Sequence, residues 1–362
     1  LDRKNTDKLF VLNKKQALHW FYYPDKLFDI NFIESVNMQL IPNNNCISYY
    51  YSKYSGLSDV NCLIPISKHY EEKELLFDIV LPIIKKYREN DEIYYFNNNR
   101  TTQVFYEIET QGIKVSKSSF INYYKNSINH PEYNLYKGKM YTQYNLYTTT
   151  SRPSNTFNSI NFAALNKEDG ERECYIPEND ILLELDIQGM HPRLIGNLVN
   201  FNFPKDQNTY GLLGKILEVD AGKAKELTFK QLYGGVWQEY LSKPFFKEVN
   251  MYIDGLWDTF NYGLSVKSEN RIFTTNNIEK PTPQKVFNYI IQSYETSTNV
   301  RIIEQILNLL KTRKTKLILY TYDSFLFDFD KNDKDVIEIL INTIDFPFNI
   351  KQGKSYHGLI KI

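Results

Sequence analysis

Apolar and polar positions alternate along this chain in a few clear periods. Leu75, Leu76, Ile79, Val80, Ile83 and Ile84 recur at helical spacing, which predicts an amphipathic helix over 72–87. A second helical stretch covers 102–110 and breaks at Gly112. The run Ile181-Leu-Leu-Glu-Leu-Asp186 is too short for a helix and predicts a buried strand ending in a carboxylate. Residues 221–241 read as a helix and 283–311 as a long one. Residues 316–323 and 324–330 read as two strands joined by a tight turn, with Asn-rich turns near 42–45 and 97–99. The C-terminal part is therefore α+β with an antiparallel element.

Composition narrows the class. At 362 residues, the chain has room for two to three domains. Hydrophobic residues make up 42% and charged residues 24%, which excludes a disordered tail, a collagen-like fibre and a disulfide scaffold. Lys+Arg 43 balances Asp+Glu 43, so a nucleic-acid binder of this composition must gather its basic residues on one face. Cys46, Cys62 and Cys174 lie far apart and match no zinc spacing; they read as reduced thiols of a cytoplasmic protein. No apolar run reaches the roughly 18 residues of a membrane span, and no secretory leader or membrane partner is expected. The richness in Tyr and Phe, alongside Asn, Lys and Ile, follows from AT-rich codons and implies no special role for tyrosine.

Three constellations carry candidate chemistry. Asp186 ends an apolar strand, where an acid is costly without a cation or donor, although a helix-capping Asp would look the same. Asp323 sits at the tip of a hydrophobic hairpin, where Asp is also a common turn former. Two acids ending two buried strands suit a two-metal phosphoryl-transfer site. Between them, Lys225, Phe229 and Tyr233 are four residues apart and share one helix face. That face offers a cation and two aromatic plates, the set that holds a triphosphate, a sugar and a base; a plain amphipathic helix would show the same stripe.

The order of these three resembles the family A DNA polymerases, the bacterial polymerase I group, in a compact, phage-like form. Asp186 falls on the motif A aspartate and Arg193 on the arginine that closes the motif. Lys225, Phe229, Tyr233 and Gly234 fall on motif B, and Asp323 on the motif C aspartate. Thr150-Ser-Arg152-Pro-Ser154-Asn155 resembles the family's Thr-Gly-Arg segment, and Asn158-Ser-Ile-Asn161 its continuation. Phe287-Asn288 with Gln292 resembles the Phe-Asn-x-x-x-Gln segment near the templating pair, and Arg271 a basic hairpin ahead of it. Glu109-Thr-Gln-Gly112 resembles the entry to the thumb, and Gly353-Lys-Ser-Tyr356 the family's C-terminal ending.

The resemblance implies an α+β right-hand polymerase: an antiparallel palm sheet, helical fingers and a reduced thumb. It implies 1–100 as a small N-terminal α/β region in the place of a degenerate exonuclease domain, and 101–150 as the thumb. Residues 151–200 and 281–362 would form the palm, and 201–280 the fingers. Asp186, Asp323 and the Ile187 carbonyl would hold two Mg²⁺ ions, for which Mn²⁺ could substitute. Lys225, Phe229, Tyr233, His191, Arg193 and Lys223 would bind the dNTP, and Arg152, Asn155, Asn161, Arg271, Asn288 and Gln292 the primer–template DNA. No Asp-x-Glu occurs in 1–100, so no proofreading is expected, and the short thumb implies a processivity factor or other replisome protein as partner.

Several positions depart from the family pattern. Ala221 replaces the first arginine of motif B, and Lys223 is the candidate to compensate. His191 replaces the glutamate that excludes ribose, and motif C reads Tyr322-Asp323-Ser324, without a second acid. Phe229 implies poor use of dideoxynucleotides. A single-subunit RNA polymerase and a non-catalytic DNA-binding relative remain as alternatives. The first would want a small residue at His191, and the second gains from Ala221.

Overall fold

The computed structural model describes residues 9–11, 14–18, 27–29, 32, 81, 85, 94–124, 135–146, 148–150, 152–155, 160–269, 271–275 and 278–362. The expected helix at 72–87, apart from helical 81 and 85, lies outside the described residues, as do Asn158, Cys46 and Cys62. Cys174 is a free, buried thiol. No helix among the described residues is long and apolar enough to cross a membrane.

The apolar run at 181–187 becomes the centre of a five-stranded antiparallel sheet. Its order is Lys316–Thr321, Ser324–Phe329, Ile181–Ile187, Phe348–Gly353, Ile360–Lys361. Leu182, Leu183, Leu185 and Ile187 are all buried, so the central strand has both faces covered rather than a polar alternation. Its register with the hairpin sets Ser324 opposite Asp186. That pairing brings the two acid-tipped ends to the same edge of the sheet.

The helix Pro283–Leu310 joins the parts of the molecule. At about 1.5 Å per residue its 28 residues span about 42 Å. Its N-terminal turns send Phe287 and Ile291 into one apolar cluster with Phe245, Phe246 and Leu232, while Val286 and Ile290 enter a smaller one with Phe260 and Phe273. Its C-terminal turns send Val300, Ile303 and Ile306 into the core of the sheet. Between these two anchored ends, Ser293, Glu295, Thr296, Ser297, Thr298 and Asn299 are buried although polar.

The expected boundary between residues 100 and 101 falls inside one helix, Tyr94–Gln111, which ends at Gly112 with φ +64°. Its Val104, Phe105 and Ile108 lie in the same core as the central sheet. Tyr144 follows it into that core, where its hydroxyl donates to the Tyr320 carbonyl at 2.8 Å and accepts from the Tyr320 amide at 2.9 Å. Strand Ile113–Val115 pairs with Lys139–Met140 and Tyr175–Ile176 in a second, four-stranded sheet. At the N-terminal end, Leu9–Val11 and Leu27–Asp29 pair in parallel with helix Lys14–Leu18 between them. Lys15 ties this α/β unit to the rest through Glu109 at 2.5 Å.

Candidate functional site

The strand Ile181–Ile187 stops where Gly189 turns the chain at φ +61° into helix Met190–Leu198. A β-carbon at Gly189 would stand 2.7 Å from Thr209, so this close turn requires glycine. Asp186 is left at the mouth of a cleft. On the neighbouring hairpin, Tyr322 takes φ +59°, and the Asn299 side-chain amide donates to its carbonyl at 2.8 Å. The Arg152 guanidinium lies 3.9 Å above the Tyr322 ring. These contacts fix the turn that carries Asp323, and the Ile187 amide donates to the Asp323 carbonyl at 2.8 Å.

The helix Ala221–Gly234 forms the opposite wall. Asp220 caps it by accepting from the Lys223 amide, and Gly235 ends it at φ +98°, earlier than the expected residue 241. Ala224, Leu227, Thr228, Gln231 and Leu232 are buried on its inner side. Lys225, Phe229 and Tyr233 therefore face the cleft, with the Phe229 and Tyr233 rings stacked at 5.8 Å. Lys225 reaches over Tyr210, its Nζ 5.7 Å from the ring centroid.

The open cleft has a volume of about 610 Å³, within the range of small-molecule sites. Arg152, Asp186, Ile187, His191, Lys225, Phe229, Tyr233, Asn288, Gln292 and Asp323 all line it. Asn288 and Gln292 are linked to each other by a 2.9 Å hydrogen bond and share one face of the long helix. Thr150 also contacts Gln292, at 3.0 Å.

Five expected contact residues do not line this cavity. Arg193 is corrected to a structural role: its helix face points inward, and the buried guanidinium donates to Thr209 Oγ1 and to the Phe203, Pro204 and Gln207 carbonyls. Arg271 is likewise corrected, since its side chain is packed inside, near Phe273. Lys223 lies two residues from Lys225, so it emerges on another side of the helix and pairs with Glu226 at 3.1 Å. Asn155 sits in strand Ser154–Asn155 and donates to Thr142 at 2.5 Å. Asn161 is an exposed cap of the short turn Phe162–Ala164.

Sequence reasoning also missed residues that the fold brings in. Tyr210, Glu295, Asn349 and Lys361 line the cleft. Glu184 shares the Asp186 face of the strand, a period-two relation visible in Leu183-Glu-Leu-Asp186. Lys351, on the adjacent strand, places Nζ 2.7 Å from Glu184 and 3.4 Å from Asp186. Together with Lys167 and Arg172 it lines a second cavity of about 420 Å³ that also opens onto Asp186 and Asp323.

The charges of the site are strained. Asp323 is solvent-exposed on the cleft side, while protein atoms crowd it on the others. Burial and then repulsion from Asp186 push its pKa up to about 6. Burial also raises Asp186, against the pull of Lys351. Burial opposes the Lys351 charge, but Glu184 and Asp186 outweigh it and raise that pKa. Burial pushes the Tyr233 phenol up, so it keeps its proton.

Two partly desolvated carboxylates that repel each other are stabilised by a cation between them. Oxygen donors with the edge of Ile187 alongside fit a hard divalent ion such as Mg²⁺ or Mn²⁺. No group of three or more His, Cys, Asp or Glu side chains among the described residues has metal-holding geometry. A bound ion would complete its shell with backbone, water or substrate oxygens, as Mg²⁺ commonly does.

No family model and no curated protein matches the chain. A solved structure does: the POL domain of Pol1 from M. smegmatis, in complex with DNA primer-template and dNTP. It is 11% identical, covers 91% of this chain and 81% of its own, and superposes with a TM-score of 0.66. The chain thus has an α+β fold like that family A polymerase domain, and at this identity the likeness is one of fold.

Proposed function

We propose that this chain is a template-directed DNA polymerase that adds dNTPs to a primer 3′ end. The observation that carries this reading is the convergence of Asp186 and Asp323 with Lys225, Phe229 and Tyr233 in one cleft. Mg²⁺ held by Asp186, Asp323 and the Ile187 carbonyl would supply the charge that activates the 3′-OH and steadies the triphosphate. Lys225 neutralises phosphate charge, with Lys361 as a second cation on the cleft wall. Phe229 and His191 border the sugar, and Tyr233 packs beneath the incoming base. Arg152, Asn288 and Gln292, which line the cleft, would test minor-groove acceptors, which are nearly the same for all four base pairs. This chain supplies no proofreading, and its grip on duplex depends on a partner.

Ala221 favours a second reading, a DNA-binding relative without catalysis. It leaves the first turn of the cleft helix with Lys223 as its cation, and Lys223 emerges on another side and pairs with Glu226. Extension of a labelled primer–template with Mg²⁺ separates the two. The polymerase reading requires dNTP-dependent extension that is lost in Asp323→Ala. DNA binding without extension at any Mg²⁺ concentration sinks it, and extension with rNTPs alone moves the assignment to an RNA-making enzyme.

A further inference from the structure

We propose that Glu295 is a positioning residue for sugar selection: its buried carboxylate fixes the His191 ring against the sugar side of the cleft. The proposal rests on the polymerase reading and adds to it a residue on a different element. Glu295 lies in the buried polar midsection of helix Pro283–Leu310, with its side chain 1% exposed. Its Oε2 stands 3.0 Å from His191 Nε2 and 3.1 Å from Arg152 Nε, and its Oε1 accepts from Arg152 Nη2 at 3.2 Å. The other ring nitrogen, His191 Nδ1, meets the Tyr233 hydroxyl.

This set of contacts has a direction. A carboxylate beside Nε2 calls for a proton on that nitrogen. In a neutral ring, Nδ1 is then the acceptor, and Tyr233 donates to it. The chain runs from Tyr233 O–H to His191 Nδ1, and from His191 Nε2–H to Glu295, which Arg152 neutralises from the other side. One ring nitrogen is hydrogen-bonded to Tyr233 and the other lies 3.0 Å from the buried Glu295 carboxylate, so the imidazole cannot turn without leaving both contacts. A wall against a 2′-hydroxyl works only if it stays in place, and one hydroxyl is a small difference to exclude. The strand-end segment has no carboxylate at His191 to anchor the aromatic of the cleft helix. Glu295 reaches the same point from the long helix.

Glu295→Gln tests this while keeping the volume. The amide offers one acceptor oxygen where the carboxylate offers two, so either His191 or Arg152 then faces an N–H group. The expected result is a roughly tenfold to hundredfold rise in kcat/KM for rNTP relative to dNTP, the scale of one polar contact to a buried charged group. In the His191→Ala background, the same change should add nothing, because the two act through one ring. Nitrogen NMR of the unliganded protein, with the signal assigned by its absence in His191→Ala, should show the Nε2–H form in the wild type and its loss in Glu295→Gln.

An unchanged sugar ratio, or effects of the two substitutions that multiply, overturns the proposal. A wild-type chain that extends no primer overturns the polymerase reading, and sugar selection with it. The NMR signal then still reports whether Glu295 holds His191, so the two failures are distinguishable.

Discussion

Asp323 should make divalent-ion binding acid-sensitive in a range where ordinary carboxylates are not. Its pKa of about 6 arises from burial and from Asp186. At pH 5 about one tenth of such a group is ionised, and at pH 7.5 nearly all of it. The apparent Mg²⁺ affinity should therefore fall about tenfold between those values from Asp323 alone. Asp186 is raised too, which steepens the fall. Calorimetric titration of the chain with Mg²⁺ from pH 5 to 8 reads this directly, with Asp323→Asn as the control that keeps only the Asp186 part of the titration. The same group affects stability in the opposite sense. Without metal, the folded form holds its proton between the ordinary value of 3.8 and about 6 while the unfolded form is ionised. Stability is thus lost as pH rises through that window. Asp323→Asn should raise the metal-free Tm at pH 8 and leave it nearly unchanged at pH 3.5. A Mg²⁺ affinity that is flat from pH 5 to 7, or that breaks near 4, refutes the reasoning.

Three further substitutions probe other parts of the site. Gly189→Ala forces a side chain into a left-handed turn against buried Thr209 and should cost about 2 kcal/mol or more in urea unfolding; a loss under about 0.5 kcal/mol would contradict the packing described. Arg193→Lys strands carbonyls of Phe203, Pro204 and Gln207 and should cost about 2–3 kcal/mol, with KM for dNTP unchanged in the folded protein. A raised KM at unaltered stability would return Arg193 to the nucleotide. Phe229→Tyr adds a hydroxyl on the cleft wall and should improve relative kcat/KM for dideoxynucleotides about tenfold, the worth of one hydrogen bond; an unmoved ratio means the sugar does not lie over this ring.

Much of this site was legible in the sequence because it is written in short-range patterns. An apolar run with an acid at its end, a four-residue stripe and an acid in a tight turn are local, and the fold brought all three together. What failed was direction. Arg193 closes a motif, but the sequence does not say which face of helix Met190–Leu198 turns inward. Asn97-Asn98-Asn99 reads as a turn, yet it lies within helix Tyr94–Gln111, whose later turns are buried in the sheet core; packing overrides weak helix propensity. Glu295 was missed for another reason. Its partner Arg152 is 143 positions away, and a lone Glu in a helix carries no local sign of such a partner.

Tyr144 has a consequence at the rim of the central sheet. Strand Lys316–Thr321 is outermost there, and an outermost strand offers its free amides and carbonyls to any chain that can pair with it. A phenol from 176 positions earlier occupies both groups of Tyr320, and helix Tyr94–Gln111 packs along the same strand. Pairing is also interrupted by a register shift between Leu317 and Leu319. At the other rim the last strand, Ile360–Lys361, is only two residues long. The region expected to grip duplex thus also caps the sheet, so shortening or replacing it would uncover a surface on which copies of the chain could join strand to strand.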